Sequence, residues 1–91
     1  MRLNPNPPSL PTPDVVTVYG ADWCGDCRRA KRYLEATRTP FRWVDLEADP
    51  AAQALVDAAG YRSIPVVVTP DGQVLVEPSD DELAVVVGTA A

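Results

Sequence analysis

An apolar, β-branched run, Val15-Val16-Thr17-Val18-Tyr19, passes through Gly20-Ala21-Asp22 into Trp23-Cys24-Gly25-Asp26-Cys27-Arg28-Arg29, and no other stretch restricts the chain as much. The run reads as a central strand covered on both faces. After the turn, Cys27, Ala30, Leu34 and Thr37 recur at helical spacing with Tyr33 close to the same face, while Arg28, Arg29, Arg32 and Glu35 point elsewhere. A strand therefore delivers two cysteines to the start of an amphipathic helix, and that helix ends before Pro40.

Two thiols at this spacing lie close together only if the first stands at the helix N-terminus and the second one turn in. Cys24 is then the exposed sulfur, and the partial positive charge and unpaired N–H groups of the helix end stabilise its thiolate. Cys27 faces back toward the fold. The pair can divide a redox reaction, with Cys24 as attacking nucleophile and Cys27 as resolving thiol. The competing reading is a zinc or iron–sulfur site, but two Cys and no His in one chain fall short of four ligands, so it needs a dimer or external thiols. The negative charge of Asp26 should raise a neighbouring thiol's pKa, and Arg28 or Arg29 should offset it by a similar amount.

The remaining elements follow in order. Met1 to Pro13 carries five prolines and little to pack, and reads as an extended or disordered tail ahead of a domain over residues 14–88. Phe41-Arg42-Trp43-Val44-Asp45-Leu46 reads as a second strand, parallel to the first across the helix. Asp49 caps a second helix with Pro50 at its first position, Leu55, Val56 and Ala59 as apolar contacts, and Gly60 as its stop. Arg62 to Val68 reads as a strand opening on Pro65. Pro70-Asp71-Gly72-Gln73 is a turn, so Val74–Val76 should return antiparallel. Ser79-Asp80-Asp81-Glu82 is a capping box for a last helix over Leu83–Val87, stopped by Gly88. The result is an α/β order, β-α-β-α-β-β-α, forming one four-stranded mixed sheet flanked by helices.

Charge narrows the possible partners. Eight basic and thirteen acidic residues give a net charge of −5, which argues against nucleic acid and anionic membranes. Six of the eight basic residues lie from Arg28 to Arg42, and none follows Arg62, whereas five acids lie between Asp71 and Glu82. One end of the domain should be acidic. The Arg28–Arg32 cluster reads first as a solvated helix face and second as a dock for an acidic protein. No signal-like or membrane-spanning apolar stretch is present, and a lone C-x-x-C suits a reducing cytoplasm.

Three landmarks carry a family signature: Trp23-Cys24-Gly25-Asp26-Cys27 after a strand, Arg62-Ser63-Ile64-Pro65 opening the third strand, and Pro78-Ser79-Asp80-Asp81-Glu82 opening the last helix. Together they resemble the thioredoxin fold in its glutaredoxin-like form, most like the mycoredoxins, with the NrdH redoxins close behind. The resemblance implies thiol–disulfide oxidoreductase chemistry with Cys24 and Cys27 catalytic, Pro65 a cis-proline facing Cys24, and the Ile64 backbone free to pair with a bound thiol. It also implies that Arg62 and Trp23 border the site, Trp23 as a wall, and that Ser79 and Asp80 lie where a small thiol is held. On the residues alone, Trp23 could be packing, Pro65 a trans strand opener, and Asp80 and Asp81 cap residues. The implied partners are oxidised or S-thiolated proteins, together with a small thiol and its NADPH-dependent reductase, or thioredoxin reductase. A monomer with no tightly bound cofactor or metal is expected.

Glutathione-using glutaredoxins usually carry Pro-Tyr between the cysteines, a lysine three residues before the first, and Gly-Gly before the final helix. Here those positions hold Gly25-Asp26, Ala21 and Glu77-Pro78. With Glu77, Asp80 and Asp81 gathered nearby, the pocket disfavours an anionic tripeptide and favours a hydroxyl-rich sugar thiol such as mycothiol as co-substrate.

Overall fold

Every residue of the first strand, Val16–Gly20, is buried, and the rest of the fold is arranged to cover it. The computed structural model describes residues 10–87. In chain order it contains β1 (Val16–Gly20), α1 (Gly25–Ala36), β2 (Phe41–Asp45), α2 (Pro50–Ala58), β3 (Val66–Val68), β4 (Val74–Val76) and α3 (Asp80–Val87). The sheet order is β2-β1-β3-β4. β1 runs parallel to β2, with Val18 opposite Trp43, while β3 lies antiparallel to both β1 and β4.

Alternation along the strands divides the core into two. Val16 and Val18 of β1 and Val67 of β3 pack with Ala30 and Leu34 of α1 and Leu83 of α3. Tyr19, Val66 and Val68 pack on the other face with Ala52 and Val56 of α2. Leu34 and Leu83 are both fully buried, each worth roughly 1.5–3 kcal/mol against exposure, so α1 and α3 are fixed side by side on one face. The two helices that carry the candidate site thus share a layer.

Helix ends follow local chemistry. Asp49 accepts the Ala52 N–H at 3.0 Å, with Pro50 at the first helical position. α2 stops at Gly60, at φ 89°, with Gly60 N–H bound to the Asp57 carbonyl and Tyr61 N–H to that of Val56. α1 ends in the same pattern without a glycine. Arg38 takes the left-handed conformation at φ 58°, and the N–H groups of Arg38 and Thr39 bind the carbonyls of Glu35 and Leu34. Thr37 is the cap of that helix rather than part of its apolar face.

Three expectations are corrected. Leu10 is only 6% exposed and joins the α2-side core, so packing begins within the segment read as a tail; residues 1–9, and Gly88 as the stop of α3, lie outside the described residues. Leu55 is 43% exposed, because the line of α2 that meets the sheet runs through Ala52 and Val56 and Leu55 lies off it. The third strand pairs only from Val66, since Pro65 has no N–H to donate and Arg62–Ile64 precede the ladder.

Candidate active site

Cys24 is the N-cap of α1, in an extended conformation at φ −83° and ψ 119°, and its sulfur accepts the Cys27 N–H at 3.2 Å. A negative sulfur accepts such a bond more strongly than a neutral one. On its other side the Cys24 Sγ lies 3.9 Å from the Ile64 carbonyl oxygen. Ile64 precedes Pro65 across a cis peptide bond, and Pro65 is fully buried. Cys24 is the more accessible of the two thiols, but at 8% exposure it is far more covered than its expected exposure implied, because the Ile64 loop closes over it. Both cysteines are free thiols.

Cys27 is completely buried. Burial pushes its thiol up to about 12 from an ordinary 9.0, with the hydrogen bond to Cys24 and the charges of Cys24 and Asp26 adding to it, and a backbone bond at Ala21 opposing. The sulfur is seated against Gly20, at the end of β1. A Cβ at Gly20 would lie 2.5 Å from Cys27 Sγ and 3.0 Å from the ring of Trp43, so only glycine admits this close approach of helix to strand. Trp43 is in turn covered by Lys31, whose Nζ stands 3.8 Å from the ring centroid and 3.7 Å from Asp22 Oδ1.

Arg29 connects the cysteine helix to α3. Its guanidinium reaches Asp80 Oδ1 at 2.6 Å, donates to the Pro78 carbonyl at 2.8 Å, and lies 3.8 Å from Asp26 Oδ1. Arg28 turns away and donates to the Asp22 carbonyl at 2.7 Å, so Arg29 is the cation beside Asp26. The basic cluster read as one solvated face is therefore divided, with Arg28 and Arg32 exposed and Arg29 half-buried in a bridge.

At the start of α3, Ser79 Oγ accepts the Glu82 N–H at 3.1 Å and Glu82 accepts the Ser79 N–H at 2.8 Å, a complete capping box. Ser79 and Asp80 border a cleft of about 390 Å³ with Arg29, Glu77, Asp81 and Glu82. Glu77, at φ 51° in the left-handed region, donates its N–H to the Pro65 carbonyl at 2.8 Å. This bond joins the cleft wall to the residue that follows Ile64, and so to the cover of Cys24. Trp23 is 66% exposed and its Nε1 donates to Glu47 at 2.7 Å, which holds the indole at the rim. Arg62 is exposed and takes no part in these bonds.

Sequence reasoning missed Gly20 and Glu47, and saw Arg29 only as one of two possible counter-charges to Asp26. Gly20 closes an apolar strand just before a cysteine, which is a readable sign of close approach. Arg29 and Glu47 become site residues only through partners distant in sequence. Chemically, the arrangement can present one capped sulfur to an incoming disulfide while a protonated second sulfur waits beneath it.

Comparison with known proteins bears on this geometry. The family model described as Glutaredoxin matches residues 16–75. A protein of Mycobacterium tuberculosis (strain H37Rv) whose name places it among the glutaredoxins is 40% identical over 71 residues, covering 76% of this chain and 84% of its own. The glutaredoxin-like protein NrdH of Escherichia coli K12 is 30% identical over 56 residues, covering 62% of this chain and 69% of its own. The solved structure of NrdH-redoxin from Escherichia coli superposes with a TM-score of 0.73 at 25% identity, over 84% of this chain and 97% of that one.

Proposed function

The chain belongs to the glutaredoxin family, with its thioredoxin-like fold, and from that premise we propose that it is a thiol–disulfide oxidoreductase reducing mixed disulfides between proteins and a mycothiol-type small thiol. The Cys24 thiolate attacks the small-thiol sulfur of the mixed disulfide. The old S–S bond breaks, the protein leaves as a thiol, and the small thiol is carried on Cys24. A second small-thiol thiolate then attacks this new disulfide and leaves as the symmetrical disulfide, which a reductase returns to two thiols at the expense of NADPH. The observation that carries this reading is the asymmetry of the pair: Cys24 caps the helix under the Ile64 carbonyl, while Cys27 is buried and held up at about 12. A second sulfur so reluctant to ionise favours release by an external thiol, the one-cysteine route.

The acidic lining of the cleft supports a hydroxyl-rich thiol over an anionic one, with Ser79 and Asp80 as its contacts and Trp23, Arg62, Ile64 and Pro65 as the border of the site. The proposed setting is the cytoplasm, where such thiols stay reduced. Among the described residues no helix is long and apolar enough to cross a membrane.

A second reading is an NrdH-like dithiol donor reduced by thioredoxin reductase. It is supported by the likeness to the structure of Escherichia coli NrdH-redoxin, a glutaredoxin-like protein described as having a thioredoxin-like activity profile. NADPH consumption on a mycothiol mixed disulfide separates the two, using either mycothiol with its disulfide reductase or thioredoxin reductase as electron source. Turnover with mycothiol that survives Cys27→Ser is expected. Turnover only with thioredoxin reductase, abolished by Cys27→Ser, would establish the dithiol reading instead. Iron, zinc or colour in the purified protein would point to the metal-sharing dimer.

A further inference from the structure

We propose that Asp80 sets the charge selectivity of the cleft by occupying, from within the chain, the guanidinium that an anionic thiol would otherwise use. This rests on Cys24 being the attacking sulfur. Among the described residues Arg29 is the one cation lining the cleft, where it stands among Glu77, Ser79, Asp80, Asp81 and Glu82. Each of its terminal nitrogens already has a partner, one in Asp80 Oδ1 at 2.6 Å and the other in the Pro78 carbonyl at 2.8 Å, and Asp26 Oδ1 lies 3.8 Å from Nε. At the start of α3 the Ser79 N–H is held by Glu82 and the Glu82 N–H by Ser79, so the donors left to a ligand there are the N–H groups of Asp80 and Asp81, each beside its own carboxylate. A carboxylate that is to pair with Arg29 would have to expel Asp80 from it, and the expelled charge would lie among three other acids.

A hydroxyl-bearing thiol meets no such competition. It can donate to Glu77, Asp80 or Asp81 while the Arg29–Asp80 pair stays closed. Asp80 is therefore a specificity-determining residue, an internal carboxylate standing in for a ligand's own. Charge-assisted bonds to a freed guanidinium are worth about tenfold or more in rate or affinity.

The test uses stoichiometric exchange, in which Cys24 attacks one sulfur of a small disulfide, the S–S bond breaks, one thiolate is released, and the other half remains on Cys24. Release rates are compared for glutathione disulfide, which is net anionic, and bis(2-hydroxyethyl) disulfide, which is neutral. The wild-type chain should favour the neutral probe. Asp80→Ala, which leaves Ser79 and Glu82 in place, should raise the anionic-to-neutral ratio at least about tenfold. Asp81→Ala removes the same charge from the same cleft without freeing Arg29, and should move the ratio no more than about threefold. Adding Arg29→Gln to Asp80→Ala should abolish the gain. Equal gains in the Asp80 and Asp81 variants, no gain in Asp80→Ala, or a wild-type chain that already favours glutathione disulfide would each overturn the proposal. Exchange needs no reductase, so absent NADPH turnover with intact selectivity would count against the proposed function alone.

Discussion

The two helix starts at this site share one spacing and differ in their atoms. In α1, Cys24 caps and Cys27 stands three residues on; in α3, Ser79 caps and Glu82 stands three residues on. Both caps accept the N–H of the residue three ahead, at 3.2 Å by sulfur and 3.1 Å by oxygen. Glu82 then reaches back to the Ser79 N–H, whereas Cys27 turns inward onto Gly20 and leaves Cys24 to bind the Ala21 carbonyl through its own N–H. An oxygen cap closes its helix end on itself. A sulfur cap leaves a polarisable nucleophile at the same place.

The largest expected effect comes from making the first start like the second. Cys24→Ser should cut turnover about a thousandfold or more, as for a removed nucleophile, while the melting temperature holds or rises because serine is a preferred N-cap. Turnover and thermal unfolding measured on the same variant would decide this, and a large loss of stability would show that the sulfur cap is structural.

Next in size is pH. Burial, the main cause that holds the Cys27 thiol up, persists when Cys24 is tied in a mixed disulfide, whereas the Cys24 hydrogen bond and charge do not; Cys27 attack on that disulfide should still accelerate as pH rises from neutrality, and a flat stopped-flow profile between about pH 7 and 10 would contradict it. The sign for stability is the reverse. A thiol that is harder to ionise when folded stabilises the fold fully below its ordinary value of 9.0, and that contribution is lost as pH rises from there toward about 12.

Packing beneath the sulfur pair comes third. Gly20→Ala places a methyl 2.5 Å from Cys27 Sγ, and should cost roughly 1–3 kcal/mol in denaturant unfolding. The same substitution in a background of Cys27→Ala should cost less, which would trace the effect to that contact. Smallest is Ser79→Ala, which opens the closed cap at a cost of about 1 kcal/mol, or roughly 4–8 °C in melting temperature for a domain of this size. No shift would mean that Asp80, through Arg29, holds the start of α3 unaided.

What was legible in the sequence was local. Apolar runs, caps and turn residues placed β1, both ends of α2, the turn after β3 with its return strand β4, and the capping box within a residue or two, since each depends on neighbours along the chain. Leu10 was hidden by its proline-rich surroundings, and its burial depends on α2 and the sheet. Arg29 looked like its exposed neighbours because its partners at Pro78 and Asp80 are about fifty residues away. Ile64 lies 40 residues from Cys24, and its place beside that sulfur was legible only through the family resemblance of the Ile64-Pro65 landmark. The chemistry of the site was written in a motif; its cover and its counter-charges were written in the tertiary fold.

The stack of Cys27, Gly20, Trp43 and Lys31 has an optical consequence. The chain contains two tryptophans, and they occupy opposite environments: Trp23 lies at the rim, open to water, while the ring of Trp43 shares the space over Gly20 with the buried sulfur. Oxidation would join that sulfur to Cys24 and so change the quencher that faces Trp43 over Gly20. Intrinsic emission should therefore differ between the dithiol and disulfide forms, and in a Trp23→Phe background the difference would report the state of Cys27 through Trp43 alone.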